Sequence, residues 1–148
     1  MTPGFQSEGF RVYTPDGRNF VLLRDELYLS VSGVLYVLPM GGTSDGASVP
    51  AAFWITLPPF GSYWRGAVLH DFAYRDTLMV EKPDNSRLFA TLTESQSNEL
   101  LLEAMKSCGT HEITRDEIYK GVCLGGASSF ANDRSAGRNS FMRDVALL

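Results

Sequence analysis

The segment that decides the fold reads SYWRGAVLHDFAYR and spans Ser62–Arg75. At about 100° per residue, a helix over this segment places His70, Asp71 and Tyr74 on one face, and apolar side chains cover most of the remaining circumference. A helix that is apolar nearly all round is typical of a buried helix. The pattern therefore predicts that a histidine–aspartate pair lies in the interior or at the floor of a cleft, where ionisable groups need partners.

The residues that precede this helix predict strands. Four runs rich in β-branched and aromatic residues are separated by turn residues: Phe10–Tyr13, Phe20–Leu23, Leu27–Val31 and Val34–Leu38. Only Ser32–Gly33 separates the last two runs, which indicates a hairpin. We predict an antiparallel β-meander over this part of the chain.

Two further helices are predicted downstream. Thr93–Gln96 has the form of a capping box and opens a helix that runs to Ser107. Thr114–Glu117 is a second capping-box candidate, which opens a third helix through Ile118. Residues 81–90 between these helices and the first are predicted to be a loop.

The predicted fold class is α+β, with the N-terminal antiparallel β-meander packed against about three α-helices. We expect a single domain over residues 1–148, in which 1–39 are mainly strands, 40–131 are loop and helices, and 132–148 are an irregular C-terminal tail. The tail carries Arg134, Arg138 and Arg143, which we expect to be solvated or bound to a neighbouring subunit.

The composition of the chain bears on its partners, its location and the state of its cysteines. The net charge is −4, which argues against a general affinity for nucleic acid or for an anionic membrane. No apolar run reaches the roughly 20 residues of a membrane helix, and the first residues lack the pattern of a signal peptide, so we expect a soluble chain made in a cytoplasm. Cys108 and Cys123 are too few for a disulfide framework and are expected to be free, buried thiols.

Six polar residues are the candidates for chemistry, and three interpretations of them remain open. In the catalytic interpretation Ser48 attacks, His70 is the base, and Asp45 or Asp71 orients the histidine. Against this, Ser48 precedes Val-Pro, and a simpler role for it than that of a nucleophile is the N-cap of a short helix over Ala51–Trp54. The six candidates are Asp45, Ser48, His70, Asp71, Tyr74 and Asn98.

The second interpretation is a divalent metal site, and the third is a structural network. Adjacent residues on a helix diverge by about 100°, so His70 and Asp71 would not easily share one ion, and none of the familiar zinc spacings occurs. In the structural interpretation Asp45 and Ser48 bond the backbone of their own loop, and Asn98 bridges from the next helix. The residues alone favour this network, with no metal and no cofactor.

Several motifs resemble a small family of uncharacterised proteins, catalogued as a domain of unknown function, that tailed bacteriophages and prophages encode. The resemblance is carried by Thr43–Pro50 (TSDGASVP), Phe53–Trp54, Leu69–Tyr74 (LHDFAY) and a helix that ends in Glu103–Met105, and it covers roughly residues 40–108. The family pattern is an Asp-x-x-Ser-x-Pro loop, a Leu-His-Asp-x-x-Tyr helix and a later Ala-Asp-x-x-Phe helix. This chain has Ser97-Asn98 in place of Ala-Asp, which favours a scaffold or substrate-contact role for Asn98.

The resemblance implies a phage or prophage origin, and with it a leading hypothesis for function. We expect a structural or virion-associated protein of the tail or particle, and not an enzyme. Its expected partners are other virion proteins. It would be located in the virion after synthesis in the host cytoplasm. Association into an oligomer is compatible with this role. The first alternative is a small hydrolase directed at peptidoglycan, with the candidate catalytic residues around one cleft. The second is an inhibitor of a host defence protein.

Overall fold

The structure is a computed structural model that describes residues 1–16, 19–45 and 62–148. Within these residues eight strands and three α-helices form the predicted α+β arrangement. The strands are β1 (Gly4–Phe5), β2 (Val12–Tyr13), β3 (Phe20–Leu22), β4 (Glu26–Leu29), β5 (Leu35–Leu38), β6 (Thr43–Ser44), β7 (Met79–Glu81) and β8 (Arg87–Phe89). The helices are α1 (Trp64–Tyr74), α2 (Glu94–Ser107) and α3 (Glu112–Ala136).

The hairpin predicted from the sequence is confirmed as the pair β4–β5. Leu29 pairs with Leu35, and the Ser30 amide donates to the Val34 carbonyl at 2.9 Å. Gly33 closes the turn at φ 91°, a conformation that glycine adopts without steric cost. This hairpin is the centre of a five-stranded antiparallel sheet in the order β1-β4-β5-β7-β8.

The predicted continuous meander is wrong at the junction between β3 and β4, which belong to different sheets. β2, β3 and β6 form a separate three-stranded antiparallel sheet. Glu26, just after the junction, is buried and accepts hydrogen bonds from Arg24 Nε at 2.7 Å and from Ser7 Oγ at 2.9 Å. These donors satisfy a carboxylate that would otherwise be costly to bury.

The loop predicted over residues 81–90 is also wrong, because this segment contains the end of β7 and all of β8, which pair as a hairpin. The Lys82 amide donates to the Ser86 carbonyl at 2.8 Å, and Asn85 lies in the left-handed region at φ 68°. The strands on either side of this turn are short and have no buried face, so they leave little alternation in the sequence.

Helix α1 confirms the prediction of a buried helix. Every residue of Gly66–Tyr74 is buried. The ring of Phe72 lies so close to Gly42 that a Cβ at that glycine would be 2.3 Å away. On the opposite side, Gly66 packs against Ala104 and Met105 of α2. The helix is thus enclosed between α2 on one side and the segment that precedes β6 on the other.

The start of α2 is as predicted, and the start of α3 is not. Thr93 caps α2 with both halves of the capping box, since its hydroxyl accepts from the Gln96 amide while the Gln96 side chain accepts from the Thr93 amide. Helix α3 is capped by the side chain of His111 rather than by Thr114. The helix therefore begins before the second capping-box candidate.

The C-terminal tail is more regular than predicted. Helix α3 continues to Ala136, beyond the expected start of the tail at 132. Short 3₁₀ turns follow at Arg138–Phe141 and Val145–Leu147. The segment also returns to the sheet region, because the Arg143 amide donates to the Gly41 carbonyl at 2.8 Å.

Two tail arginines bind within the chain, which corrects the expectation that they are solvated or held by a neighbouring subunit. Arg134 donates from Nε to the Tyr74 carbonyl and from Nη2 to the Ala73 carbonyl, each at 2.9 Å. Arg138 donates to the Asp76 carbonyl at 2.7 Å and to its carboxylate at 2.6 Å. Both arginines supply donors at the C-terminal end of α1, where a helix leaves carbonyls without intrahelical partners.

The cysteines are both free, as expected, but the prediction that they are buried is wrong for one of them. Cys108 is partly buried, whereas Cys123 is exposed on α3. Its neighbour Leu124 is exposed as well, because α3 packs on the rest of the chain by one narrow face.

The adjacent glycines of α3 test the packing of this helix on α1. A Cβ at Gly126 would lie 2.4 Å from the Tyr74 hydroxyl, whereas a Cβ at Gly125 would meet nothing within 4 Å. We expect Gly126→Ala to lower the free energy of unfolding by about 1–3 kcal/mol through overpacking. Gly125→Ala is the matched control and should raise it by up to about 1 kcal/mol, since alanine is the better helix former. Urea unfolding of both variants measures this, and equal effects would contradict the packing.

Candidate functional site

His70 is the centre of a hydrogen-bonded group in the interior. Only 1% of its surface is exposed, and its Nε2 lies 2.7 Å from the Oδ1 of Asn98 on α2. Tyr74, one helical turn further along α1, donates its hydroxyl to the same Oδ1 at 2.8 Å. The rings of His70 and Tyr74 are in contact, with 4.1 Å between their centroids. One amide oxygen thus holds two side chains of α1 and joins α1 to α2.

These contacts determine which nitrogen of His70 carries the hydrogen. A carboxamide oxygen only accepts hydrogen bonds, so His70 Nε2 is the donor to Asn98. Burial lowers the pKa of His70 below its ordinary value, and the hydrogen bond to Asn98 and the charge of Asp71 oppose this shift only in part. The ring is therefore neutral at about pH 7, with Nδ1 as its unprotonated nitrogen. A nitrogen of this kind can accept a proton.

The two aspartates predicted beside His70 join the end of β6 to α1. Asp71 accepts a hydrogen bond from the hydroxyl of Ser44. Asp45, the residue after β6, has its Oδ2 3.3 Å from Nη2 of Arg75. Nη1 of the same arginine donates to the Thr43 carbonyl at 2.9 Å. The carboxylate of Asp71 on α1 is therefore bound by a residue of β6, and the carboxylate of Asp45 after β6 by the residue that ends α1.

A cleft of about 420 Å³ lies where α1, the end of β6 and α3 meet. The described residues that line it contribute three aspartates and one arginine, so they carry a surplus of negative charge. Glycines of α3 line the opposite wall and leave room that larger side chains would fill. The lining residues are Asp45, His70, Asp71, Tyr74, Arg75, Gly121, Val122, Gly125, Gly126, Ser129, Asn132 and Asp133.

Asp133 on α3 is a carboxyl group of the cleft whose pKa is raised. Burial raises the pKa of Asp133 to about 6, and the charges of Asp71 and Asp45 act in the same direction. The charges of Arg75 and Arg134 oppose the rise, and the contact with Arg75 is long, since its Nε lies 3.9 Å from Asp133 Oδ2. A shifted carboxyl group in a cleft is a physical indication of a functional site.

The structure brings five of the six candidates together and describes nothing of the sixth. Four of the candidates line the cleft: Asp45, His70, Asp71 and Tyr74. The fifth, Asn98, binds His70 from helix α2. Ser48, together with the short helix that it was predicted to cap, lies outside the described residues.

Three residues of the site were missed: Ser44, Arg75 and Asp133. Ser44 and Arg75 lie inside the quoted segments Thr43–Pro50 and Ser62–Arg75, and an arginine one turn after Asp71 was a readable signal for a partner. Asp133 lay in the segment assigned to the tail, and only the length of α3 brings it to the cleft.

Among the described residues, no group of three or more histidine, cysteine, aspartate or glutamate side chains is arranged to hold a metal ion. In the same residues, no helix combines the length and the apolar character needed to cross a membrane.

One of three comparisons with known proteins gives a match. A family model described as "Protein of unknown function (DUF1353)" matches residues 20–122, a range that includes His70 and Asn98 but ends before Asp133. No curated protein and no solved structure matches the chain.

A carboxylate at position 98 should raise the pKa of His70 further than the amide does. In Asn98→Asp the accepting group becomes a carboxylate, whose charge favours the imidazolium, so we expect the pKa of His70 to rise by one unit or more, about 1.4 kcal/mol per unit. Ser95→Asp adds the same charge to an exposed position of α2 and is the control. Titration of the histidine ring protons by NMR measures both, and an unchanged pKa in Asn98→Asp would rule out the contact.

Asp133 should make stability depend on pH. Its raised pKa means that ionisation opposes folding, so its favourable contribution is present at low pH and is lost as the pH rises through about 6. Asp133→Asn should therefore raise the melting temperature at pH 8 by a few degrees, corresponding to about 1 kcal/mol after allowance for solvent screening, and the gain should vanish below about pH 4. Asp116→Asn on the exposed side of α3 is the control. A gain that does not depend on pH would contradict the assignment.

Proposed function

Because the chain belongs to the DUF1353 family of proteins of unknown function, its activity has to be argued from its own site, and we propose that it is a hydrolase in which His70 activates water. The observation that carries the proposal is the hydrogen bond from His70 Nε2 to Asn98 in the wall of a cleft. A histidine held by a partner at one nitrogen has the other directed to a definite place, which is how catalytic histidines are oriented.

The surroundings of His70 suit a general base. Burial keeps the ring neutral, so it is ready to accept a proton, and Asn98 and Asp71 both favour the imidazolium that forms. In the proposed reaction Nδ1 takes a proton from water as the oxygen attacks the carbonyl carbon of an ester or amide. The tetrahedral intermediate collapses with loss of the alcohol or amine. Water serves as the nucleophile, and no step requires Ser48.

The charge of the cleft supports a substrate that is neutral or positively charged near the reacting carbonyl. The described lining residues include Asp45, Asp71 and Asp133 against the single cation Arg75. The peptide part of peptidoglycan carries amino groups and amide bonds, and the resemblance to phage proteins favours a cell-wall substrate. Peptidoglycan is therefore the first substrate to test.

A second candidate is the role as a virion-associated protein. It is supported by the phage resemblance and by two apolar side chains eleven residues apart on α3, Ile113 and Leu124, which are 69% and 88% exposed. Residues at this spacing lie on the same face of a helix and suit contact with another protein. Mass spectrometry of purified particles tests this role, and a pull-down from host lysate tests the further proposal of an inhibitor of a host defence protein.

Substitution of His70 tests the hydrolase directly. Glutamine at position 70 still offers an amide hydrogen to Asn98 but no basic nitrogen. We expect His70→Gln to lower kcat/KM about 10²–10⁴-fold on peptidoglycan fragments or 4-nitrophenyl acetate. His111→Gln changes an exposed histidine and should leave the rate unchanged. A His70→Gln variant that hydrolyses like the parent and only melts earlier would make the network structural.

A further inference from the structure

We propose that Asp133 is a second catalytic residue of this cleft, the general acid that protonates the leaving group while His70 deprotonates water. The inference rests on the proposed hydrolase and adds the residue that completes its proton transfers. Asp133 and His70 lie in the wall of the same cleft, on α3 and α1 respectively.

Asp133 is the carboxyl group of the cleft that is least engaged by the protein. Asp71 accepts a hydrogen bond from Ser44, and Asp45 lies 3.3 Å from the Arg75 guanidinium. Asp133, by contrast, is 3.9 Å from Arg75 Nε, and that nitrogen makes no hydrogen bond in the described part of the chain. A carboxyl group that the described residues hold only by a long ion pair is able to give up its proton to a ligand.

The electrostatic surroundings keep a proton on Asp133 at higher pH than an ordinary aspartate. Burial is the largest cause of the raised pKa of Asp133, and the charges of Asp71 on α1 and Asp45 after β6 add to it. The charges of Arg75, at the end of α1, and Arg134 on α3 act in the opposite direction. The pKa of about 6 leaves a large protonated fraction in mildly acidic solution. His70 is shifted in the opposite direction. Two titratable groups with opposite shifts in one cleft are the arrangement expected of an acid and a base.

The reaction balances with these two groups. His70 Nδ1 takes one proton from water, and the hydroxide oxygen forms a bond to the carbonyl carbon. When the bond to the leaving oxygen or nitrogen breaks, Asp133 gives its proton to that atom, so that an alcohol or amine departs. The imidazolium of His70 and the carboxylate of Asp133 then exchange one proton through solvent, which restores the starting state.

The dependence of the rate on the leaving group tests the assignment. A general acid matters for a poor leaving group such as ethoxide and little for 4-nitrophenolate, which departs without a proton. We expect Asp133→Asn to lower hydrolysis of ethyl acetate about 10²–10⁴-fold and to leave 4-nitrophenyl acetate within a few-fold of the parent. The parent's ethyl acetate rate should also fall as the pH rises through about 6, and its nitrophenyl rate should not.

Two controls separate this inference from the proposed function. Asp116→Asn should leave both rates unchanged, and His70→Gln should lower both about 10²–10⁴-fold. If Asp133→Asn reduces the two esters equally, or neither, the general acid is wrong while the hydrolase stands. If the parent hydrolyses neither ester nor peptidoglycan, or if His70→Gln is as active as the parent, the hydrolase fails and the role of Asp133 falls with it.

Discussion

The oxygen of one amide side chain is the constraint on which the site depends. Asn98 Oδ1 accepts from both His70 Nε2 and the Tyr74 hydroxyl, and all three groups are buried. Buried polar groups of this kind are stable only when each has a partner, so the contact fixes the rotation of α1 relative to α2. The same contact places Tyr74 against Gly126, and through it sets how closely α3 approaches.

The cleft contains two titratable groups, His70 and Asp133, whose surroundings disfavour their charged forms. Burial disfavours the imidazolium of His70 and the carboxylate of Asp133, so one pKa is lowered and the other raised. An ionised Asp133 at this partly buried position lowers the stability of the folded state. Proteins commonly retain such a residue where it contributes to activity, and the structural role assigned to the other polar groups does not require it.

The sequence was informative about elements whose cause is local. The apolar circumference of α1, the capping box of α2 and the turn of the β4–β5 hairpin each follow from residues close together in the chain. The structural interpretation of the sequence also had Asn98 bridging from the next helix, and its contacts with His70 and Tyr74 are of that kind. The division into two sheets, the β7–β8 hairpin and the approach of Asp133 depend on contacts between distant segments, which no local pattern encodes. Ser48 lies outside the described residues, so its predicted role stays a prediction.

The state of the His70 ring is the most direct test of the central claim, because catalysis as proposed requires the hydrogen on Nε2 and the lone pair on Nδ1. The ¹⁵N chemical shifts of the two ring nitrogens, recorded at about pH 7 on protein labelled at histidine, distinguish a protonated nitrogen from an unprotonated one. The account predicts a neutral ring in which Nε2 is protonated and donates a hydrogen bond to Asn98. A ring that carries its hydrogen on Nδ1, or on both nitrogens, would contradict it.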